Sequence, residues 1–452
     1  MFKITKTTIA MTLLSSCAGA LHAAVTPEEA KKLGATLTLV GAEKAGNKDG
    51  SIPEYTGGLT TPPAGFVKER GVRPDPFADE KPLFAVDAKN MTQYADKLTE
   101  GTKALMKTLP GFRIDVYKTH RTVAVPTSVL ESTVKNATQA RLADDGLSVQ
   151  GAKSGIPFPI PKSGNEVMFN FLARYQGVSY TLPKFFGFNV DSSGKLTLAS
   201  QGKYVTEMPY YDQSKSADPT QMTRYRGDYT GPARRSGEAL LAIDPVDYVG
   251  KGRRAWIYMP GQRRVRVAPD ASYDTPNPSS GGMATYDDTY LFNGKLDKFD
   301  FKLAGKKEIY VPYNTYRFTY NDKPEEVFGP KFINPSVLRW ELHRVWVVEA
   351  MLKAGQRHIY SKRTFYVDED SWNAVAVDQY DGRGQLWRPG FAYISQCYDA
   401  LAVHATTSGH YDLNAGSYYI SLWPSSGGVK VSDTLLPESY WTPDSLAGSG
   451  VR

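Results

Sequence analysis

Residues 255–314 read AWIYMPGQRRVRVAPDASYDTPNPSSGGMATYDDTYLFNGKLDKFDFKLAGKKEIYVPYN. Side chains of a strand point alternately to its two faces, so a strand with one wet face alternates apolar and polar residues. Arg264-Val265-Arg266-Val267 alternates in this way, as do Phe299, Phe301 and Leu303 with their neighbours. Pro260-Gly261 and the Pro/Ser/Gly run at 276–282 are turn signals between such segments. The stretch therefore reads as antiparallel strands joined by turns. It also holds the densest cluster of arginine, aromatic and acidic residues in the chain, and no catalytic signature.

The same pattern extends on both sides. Before it, YTLPKFFGFNV, KLTLAS and EALLAIDPVDYV alternate from Gly177 onward. After it come LRWELHRVWVVEAML, RTFYVDED, WNAVAVDQYDGRGQLWR and YDALAVHATT, with Asp381-Gly382-Arg383-Gly384 as a hairpin turn. All seven tryptophans lie at or beyond Trp256, as suits pleated, half-buried surfaces. Many strands at short spacing with few helices predict a mainly β (α+β) fold whose large antiparallel sheet curls or closes.

The N-terminal part differs. Thr26-Pro27-Glu28-Glu29 is a capping box opening a short helix that Gly34 ends. The following Gly/Pro-rich segment to Gly65 predicts an extended arm that needs a groove to lie in. Met91, Tyr94, Leu98 and Leu105 share a helical period, with Asn90 as cap, Gly101 as a bend and Pro110 as the stop. A second helix is expected over residues 128–142. GIPFPIPKSG excludes regular structure and leads into a capping box at Ser163–Glu166 and a third helix with Val167 and Phe171 on its apolar stripe. That stripe is expected to pack on the sheet.

Lys3 and Lys6 before the apolar run Ile9–Ala20, with Ala23-Ala24 behind it, predict a secretory signal peptide over residues 1–24 and a periplasmic protein. The alternative is that Leu14–Cys17 is a lipobox and Cys17 a lipidated anchor. Removing the leader takes the formal charge from +7 to +5 and leaves Cys397 as the one cysteine, which excludes an intramolecular disulfide. The positive charge is dispersed, so no nucleic-acid partner is expected.

Trp256-Ile257-Tyr258-Met259-Pro260, then Arg263-Arg264-Val265-Arg266, then Tyr286-Asp287-Asp288 resembles a pattern of the outer-membrane lipoprotein-sorting (lipoprotein carrier)-like superfamily. Segments such as LVGAEKAGNKDGSIPEYTGGL, GIPFPIPKSG, PGQRRVRVAP, ELHRVWVVEA and YDGRGQLWR resemble the DUF1329 family of bacterial envelope proteins over nearly the whole mature chain. The resemblance implies a curved, incompletely closed antiparallel barrel with plugging helices. It divides the chain into the leader, an N-terminal arm and helices over 25–110, and a lipoprotein-carrier-like β domain over 111–452. It also implies a concavity for an apolar, lipid-like ligand, and a resistance-nodulation-division type transporter or an outer-membrane barrel as partner.

The candidate ligand-binding residues are Trp256, Tyr258, Arg263, Arg264, Arg266, Trp340, His343 and Trp346. Arginine forks suit a phosphate or carboxylate headgroup. The alternative is that Arg253, Arg254, Arg263, Arg264 and Arg266 form ion pairs with Asp287, Asp288, Asp297 or Glu341. The aromatics, with Phe299, Phe301, Trp372 and Trp387, either line a cavity or fill a core. Neighbouring carboxylates such as Asp287 and Asp288 would face opposite sides of a strand and make poor acid–base pairs, so turn residues or arginine partners are expected there. No metal-ligand spacing or cofactor fingerprint is present, so no metal and no cofactor are expected. The leading expectation is a carrier without covalent chemistry. The alternatives are a structural partner docking through the arm, and a hydrolase using Glu341 and His343, which share a strand face.

Overall fold

The computed structural model describes residues 25–214, 218–249, 252–269, 271 and 273–449. The expected signal peptide and Cys17 lie outside the described residues.

The first half carries β1 (Phe84–Asp87), α2 (Glu100–Thr108, after the one-turn α1 at Pro27–Ala30), β2 (Arg113–Val116), α3 (Thr127–Gln139), the short hairpin β3 (Arg141–Leu142) and β4 (Val149–Gln150), and α4 (Gly164–Leu172). Long strands follow: β5 (Ser179–Val190), β6 (Leu196–Glu207), β7 (Gln221–Gly231), β8 (Ala239–Pro245), β9 (Arg254–Met259), β10 (Arg264–Val267) and β11 (Phe299–Pro312). After the one-turn helices α5 (Tyr316–Thr319) and α6 (Pro324–Val327) come β12 (Trp340–Leu352), β13 (Lys362–Asp368), β14 (Ala374–Tyr380) and β15 (Leu386–Ala392). The chain ends with β16 (Ser395–Cys397), β17 (Ala402–His404), β18 (Ser408–Asp412), β19 (Ser417–Trp423), β20 (Lys430–Ser432) and α7 (Pro443–Ser449).

Sixteen strands make one sheet in the order β1-β2-β12-β13-β14-β15-β18-β19-β5-β6-β7-β8-β9-β10, with β11 on β12 and β20 on β5. The ladders are antiparallel apart from the parallel contact of Trp340 with Val116. The path runs from β1 to β10 without closing, so the sheet is open. The β1–β2 ladder joins Phe84–Asp87 to Arg113–Val116 and so crosses the division expected at residue 110.

The sheet is filled from one side. α4 lies against β11 and β12, so closely that a Cβ on Gly164 would sit 2.4 Å from the Phe301 carbonyl oxygen. Residues 276–293 reach β14, β15, β18, β19, β5 and β6, six neighbours in the sheet order, which places this insert over the middle of one face. The insert is made of 3-10 turns. The resulting core is continuous, from Phe169 and Phe171 through Tyr204, Tyr225 and Tyr290 to Phe365 and Trp423.

Local expectations met four physical corrections. The helix expected from Met91 splits into a 3-10 segment (Met91–Lys97) and α2, because Leu98 is extended and Thr99 caps the second piece by accepting from the Thr102 amide. Gly101 makes no bend. It lies in the first turn of α2, where its amide donates to buried Asp378 at 2.9 Å and a Cβ would meet that carboxylate at 2.3 Å. The helix expected over 128–142 ends at Gln139, and Arg141-Leu142 pairs as a strand. Ser163 accepts from the Glu166 amide, but the Glu166 side chain reaches the Lys162 amide, so that box is only half formed.

Asp378 makes a measurable demand on pH. Its oxygens accept from the Gly101 amide and the Tyr366 hydroxyl, among the described residues no cation pairs with it, and burial pushes its pKa from 3.8 up to about 7. The native chain therefore keeps a proton that the unfolded chain releases above pH 3.8, and stability falls as pH rises from about 4 to 7. Asp378→Asn removes this loss. Urea unfolding should show the variant matching wild type near pH 4 and exceeding it by on the order of 2–4 kcal/mol at roughly pH 8. A constant difference across that range would refute the assignment.

Candidate functional site

The structure separates the eight expected ligand residues into two places. Five lie on the β9–β10 hairpin at the sheet edge, turned by Pro260–Gln262 and a left-handed Arg263 (φ 47°). Arg263, Arg264 and Arg266 are exposed, beside Val267, whose exposure of 69% is the largest among the exposed apolar side chains. Trp256 is half-buried with the Arg254 guanidinium 5.9 Å from its ring, and Tyr258 is buried in a satellite core with Val205, Leu241 and Trp441. Arg253 forms an ion pair, with Asp244 at 2.7 Å and not with any of the carboxylates expected, because β8 pairs with β9 and brings Asp244 alongside.

The other three are on β12. Trp340 is buried edge-on against Phe391, and Trp346 stacks on Trp372 with the Lys306 ammonium 4.5 Å from its ring. His343 stacks on Tyr313 at 3.6 Å and hydrogen-bonds Glu341 at 3.1 Å, as the strand parity requires. Burial opposes ionisation of Glu341, but His343 and Arg339 hold its pKa below the usual range. Among the described residues no serine, threonine or cysteine hydroxyl or thiol hydrogen-bonds this imidazole. Cys397 is buried, and burial pushes its thiol up to about 11.

His343, Asp368 and Asp370 bring one ligand atom each within 4.8 Å, and among the described residues these three could hold a divalent cation. Both Asp370 oxygens are already bound by Arg121 at 2.7 and 2.9 Å, and one Asp368 oxygen by Ser371 and Tyr313. Burial, then Asp370, raises the Asp368 pKa to about 6. The arrangement is first of all an ion-pair network, and the N-terminal arm is tied to it. Arg121 donates to the Glu43 and Lys44 carbonyls, Arg344 to Ala45, and the Trp372 indole to Val40. The groove that the arm's composition demands is thus the end of β12 and β13.

A second buried network holds the insert. Asp287 and Asp288 lie in a 3-10 turn, not a strand, so they do not face opposite ways: both converge on Arg363, at 2.8 and 3.0 Å. His358 adds a contact to Asp287 and Gln379 one to Asp288. Around this insert the concave face is packed, with voids of only about 50 and 30 Å3.

Room for a ligand lies elsewhere. A cleft of about 720 Å3 opens between the start of α3 (Val129), Tyr175 and Tyr211, the Ala400-Leu401 turn, and Val431 to Leu435. None of the eight expected residues lines it. Its walls come from segments far apart in the chain, and no motif marks them. The one signal present was Arg174-Tyr175-Gln176, a cation closing the apolar run of α4.

The chain is similar to an uncharacterized protein of Pseudomonas aeruginosa, with 42% identity over 453 residues and 97% of each chain covered. Among solved structures it is similar to a putative outer membrane lipoprotein-sorting protein domain from Vibrio parahaemolyticus (15% identity, 62% of this chain and 97% of that one, TM-score 0.42). It is also similar to a DUF1329 family protein from Desulfovibrio piger (16% identity, 63% and 97%, TM-score 0.41) and a LolA superfamily protein from Nitrosomonas europaea (13% identity, 63% and 100%, TM-score 0.38). The family model for proteins of unknown function, DUF1329, matches residues 85–447, and the chain belongs to that family.

Proposed function

We propose that the chain is a periplasmic binding or carrier protein for an apolar, lipid-like ligand, and that the ligand occupies the cleft between α3, Tyr175, Tyr211 and β20. The observation that carries this reading is the cleft itself. Its volume of about 720 Å3 falls in the range of roughly 300–1,000 Å3 typical of small-molecule sites. Val129, Tyr175, Val178, Leu401, Val431 and Leu435 offer apolar walls to a chain, while Ser128, Gln213 and Asp433 keep the mouth wet. Each methylene buried there contributes about 0.8 kcal/mol. The exposed Arg263, Arg264 and Arg266 at the sheet edge are the surface offered to an anionic membrane or to an envelope partner, such as a resistance-nodulation-division type transporter or an outer-membrane barrel.

Ala400→Trp fills the cleft from a half-buried turn position. Calorimetry with dodecanol should show wild type binding saturably and the variant binding at least about tenfold more weakly at unchanged melting temperature. Unchanged affinity would place the ligand elsewhere. Arg264→Glu with Arg266→Glu should leave dodecanol affinity intact and slow transfer to anionic vesicles; equal transfer would remove the edge strand from the account.

A further inference from the structure

Arg174 is a buried cation without a counterion. It is 5% exposed, yet among the described residues no carboxylate pairs with it. The other deeply buried arginines all have one: Arg121 has Asp370, Arg224 has Glu207, Arg253 has Asp244 and Arg363 has Asp287. One Arg174 nitrogen donates to the Phe171 carbonyl at 2.7 Å, and the guanidinium lies 4.3 Å from the Phe171 ring and 5.4 Å from the Tyr290 ring. Its Nε has no partner. Burial pulls the group down only to about 10, so it stays charged at neutral pH. A charge taken out of water without pairing is costly, and structures keep one where it meets an opposite charge.

What surrounds Arg174 is built for an anion. It lines a void of about 30 Å3 together with Gln176, Thr206, Met208, Met222 and Tyr225. The Gln176 amide nitrogen and the Thr206 hydroxyl, 6% and 2% exposed as residues, also lack partners. Asp244 borders the same void, but both of its oxygens are held by Arg253 at 2.7 and 2.9 Å. The void therefore presents one uncompensated positive charge, an amide donor and a hydroxyl. The void is small, which limits its occupant to a head of a few atoms. A carboxylate matches the fork of a guanidinium in that space.

The void and the cleft have no lining residue in common, but consecutive residues line them. Arg174 and Gln176 face inward to the void, while Tyr175 between them faces outward and lines the cleft with Tyr211. The two tyrosine rings meet edge to face at 5.0 Å, and Tyr211 is hydrogen-bonded to the Ala173 carbonyl. One stretch of backbone thus carries a wall of each compartment.

We propose that Arg174, with Gln176 and Thr206, forms a buried anion subsite that receives the carboxylate of an acyl-chain ligand whose tail lies in the cleft. The proposal rests on the binding reading above and narrows its ligand to a fatty-acid-like monoanion. The Tyr175–Tyr211 pair is the partition the head passes.

The test compares dodecanoate with dodecanol on wild type, Arg174→Met and Arg174→Lys, by calorimetry and thermal unfolding. Wild type should bind dodecanoate at least about tenfold more tightly than dodecanol. Arg174→Met should abolish that preference while holding dodecanol within about twofold, with a ligand-free melting temperature equal to or above that of wild type, since a buried charge is removed. Arg174→Lys should retain part of the preference. Equal wild-type affinity for the two compounds overturns the subsite and leaves the cleft reading standing; binding of neither overturns both. Loss of both ligands together with a lower melting temperature in Arg174→Met makes Arg174 structural. Tighter binding of dodecyl phosphate than of dodecanoate overturns the carboxylate assignment.

Discussion

Arg363→Met should be among the most destabilising single substitutions in this protein, lowering unfolding free energy by roughly 3–5 kcal/mol. Arg363 is wholly buried and donates to Asp287 at 2.8 Å, to Asp288 at 3.0 Å and to the Leu291 carbonyl at 3.3 Å. Three aromatic rings, of Phe292, Tyr360 and Phe365, stand 5.1–5.3 Å from its guanidinium. Burial opposes ionisation of both aspartates, and Arg363, with His358 at Asp287 and His410 at Asp288, outweighs it and lowers their pKa values. Folded pKa values below the unfolded 3.8 contribute stability that is present above about pH 4 and is lost as pH falls further. Methionine leaves two adjacent buried carboxylates without their cation and unpins residues 286–291 from the sheet. Urea unfolding at neutral pH measures the loss. Adding Asp287→Asn and Asp288→Asn should recover part of it, since the uncompensated charge is then gone. A loss under about 1 kcal/mol would mean that the insert is held by its packing alone.

Gly41→Ala should produce the second large effect, confined to the arm. Gly41 has φ +96°, and a Cβ there would fall 1.8 Å from the Pro159 carbonyl oxygen and 2.6 Å from its carbon. Neither atom is the tip of a flexible side chain, so the arm has to move. The contacts it would leave are the Trp372 indole to Val40, Arg121 to Glu43 and Arg344 to Ala45. Hydrogen exchange should show the amides of residues 38–45 losing protection, and unfolding free energy should fall by on the order of 3 kcal/mol or more. Gly50→Ala is the internal control. It too has a positive φ, +74°, but nothing lies within 4 Å of the added carbon. That variant should lose only about 1–2 kcal/mol of stability, the left-handed penalty alone. Equal effects at the two positions would show that the close approach to Pro159 does not matter.

How much of this was legible from sequence follows from the range of the interactions involved. Alternation over Arg264–Val267 and Phe299–Leu303 is a one-strand property, and those segments are strands. The Thr26–Glu29 capping box and the Asp381 turn are closed within a few residues, and both form as read. The arm's need for a groove was readable from its glycines and prolines. The partners it finds, Arg121, Arg344 and Trp372, are between 77 and 332 residues away in the chain. Asp287 and Asp288 are turn residues with an arginine partner, as expected, but that arginine, Arg363, lies 75 or 76 residues downstream, and nothing local names it. The candidate ligand residues were chosen for aromatic and arginine density, which cannot distinguish an exposed edge from a lined void. The cleft instead draws on Val129, Tyr175, Tyr211, Ala400 and Val431, joined only by the order in which β5, β19 and β20 pair. Arg174 was the clearest missed signal: a lone arginine closing an apolar helix, with no acidic residue within seven positions of it on either side.

This DUF1329 protein is proposed to carry an acyl-chain ligand. Native mass spectrometry of the mature protein, purified from the cell envelope without detergent and followed by solvent extraction, tests it most directly. The account predicts a stoichiometric adduct that solvent releases as a compound with an acyl chain and a single carboxylate. A clean ligand-free mass, with no saturable uptake of added dodecanoate or dodecanol, would contradict it.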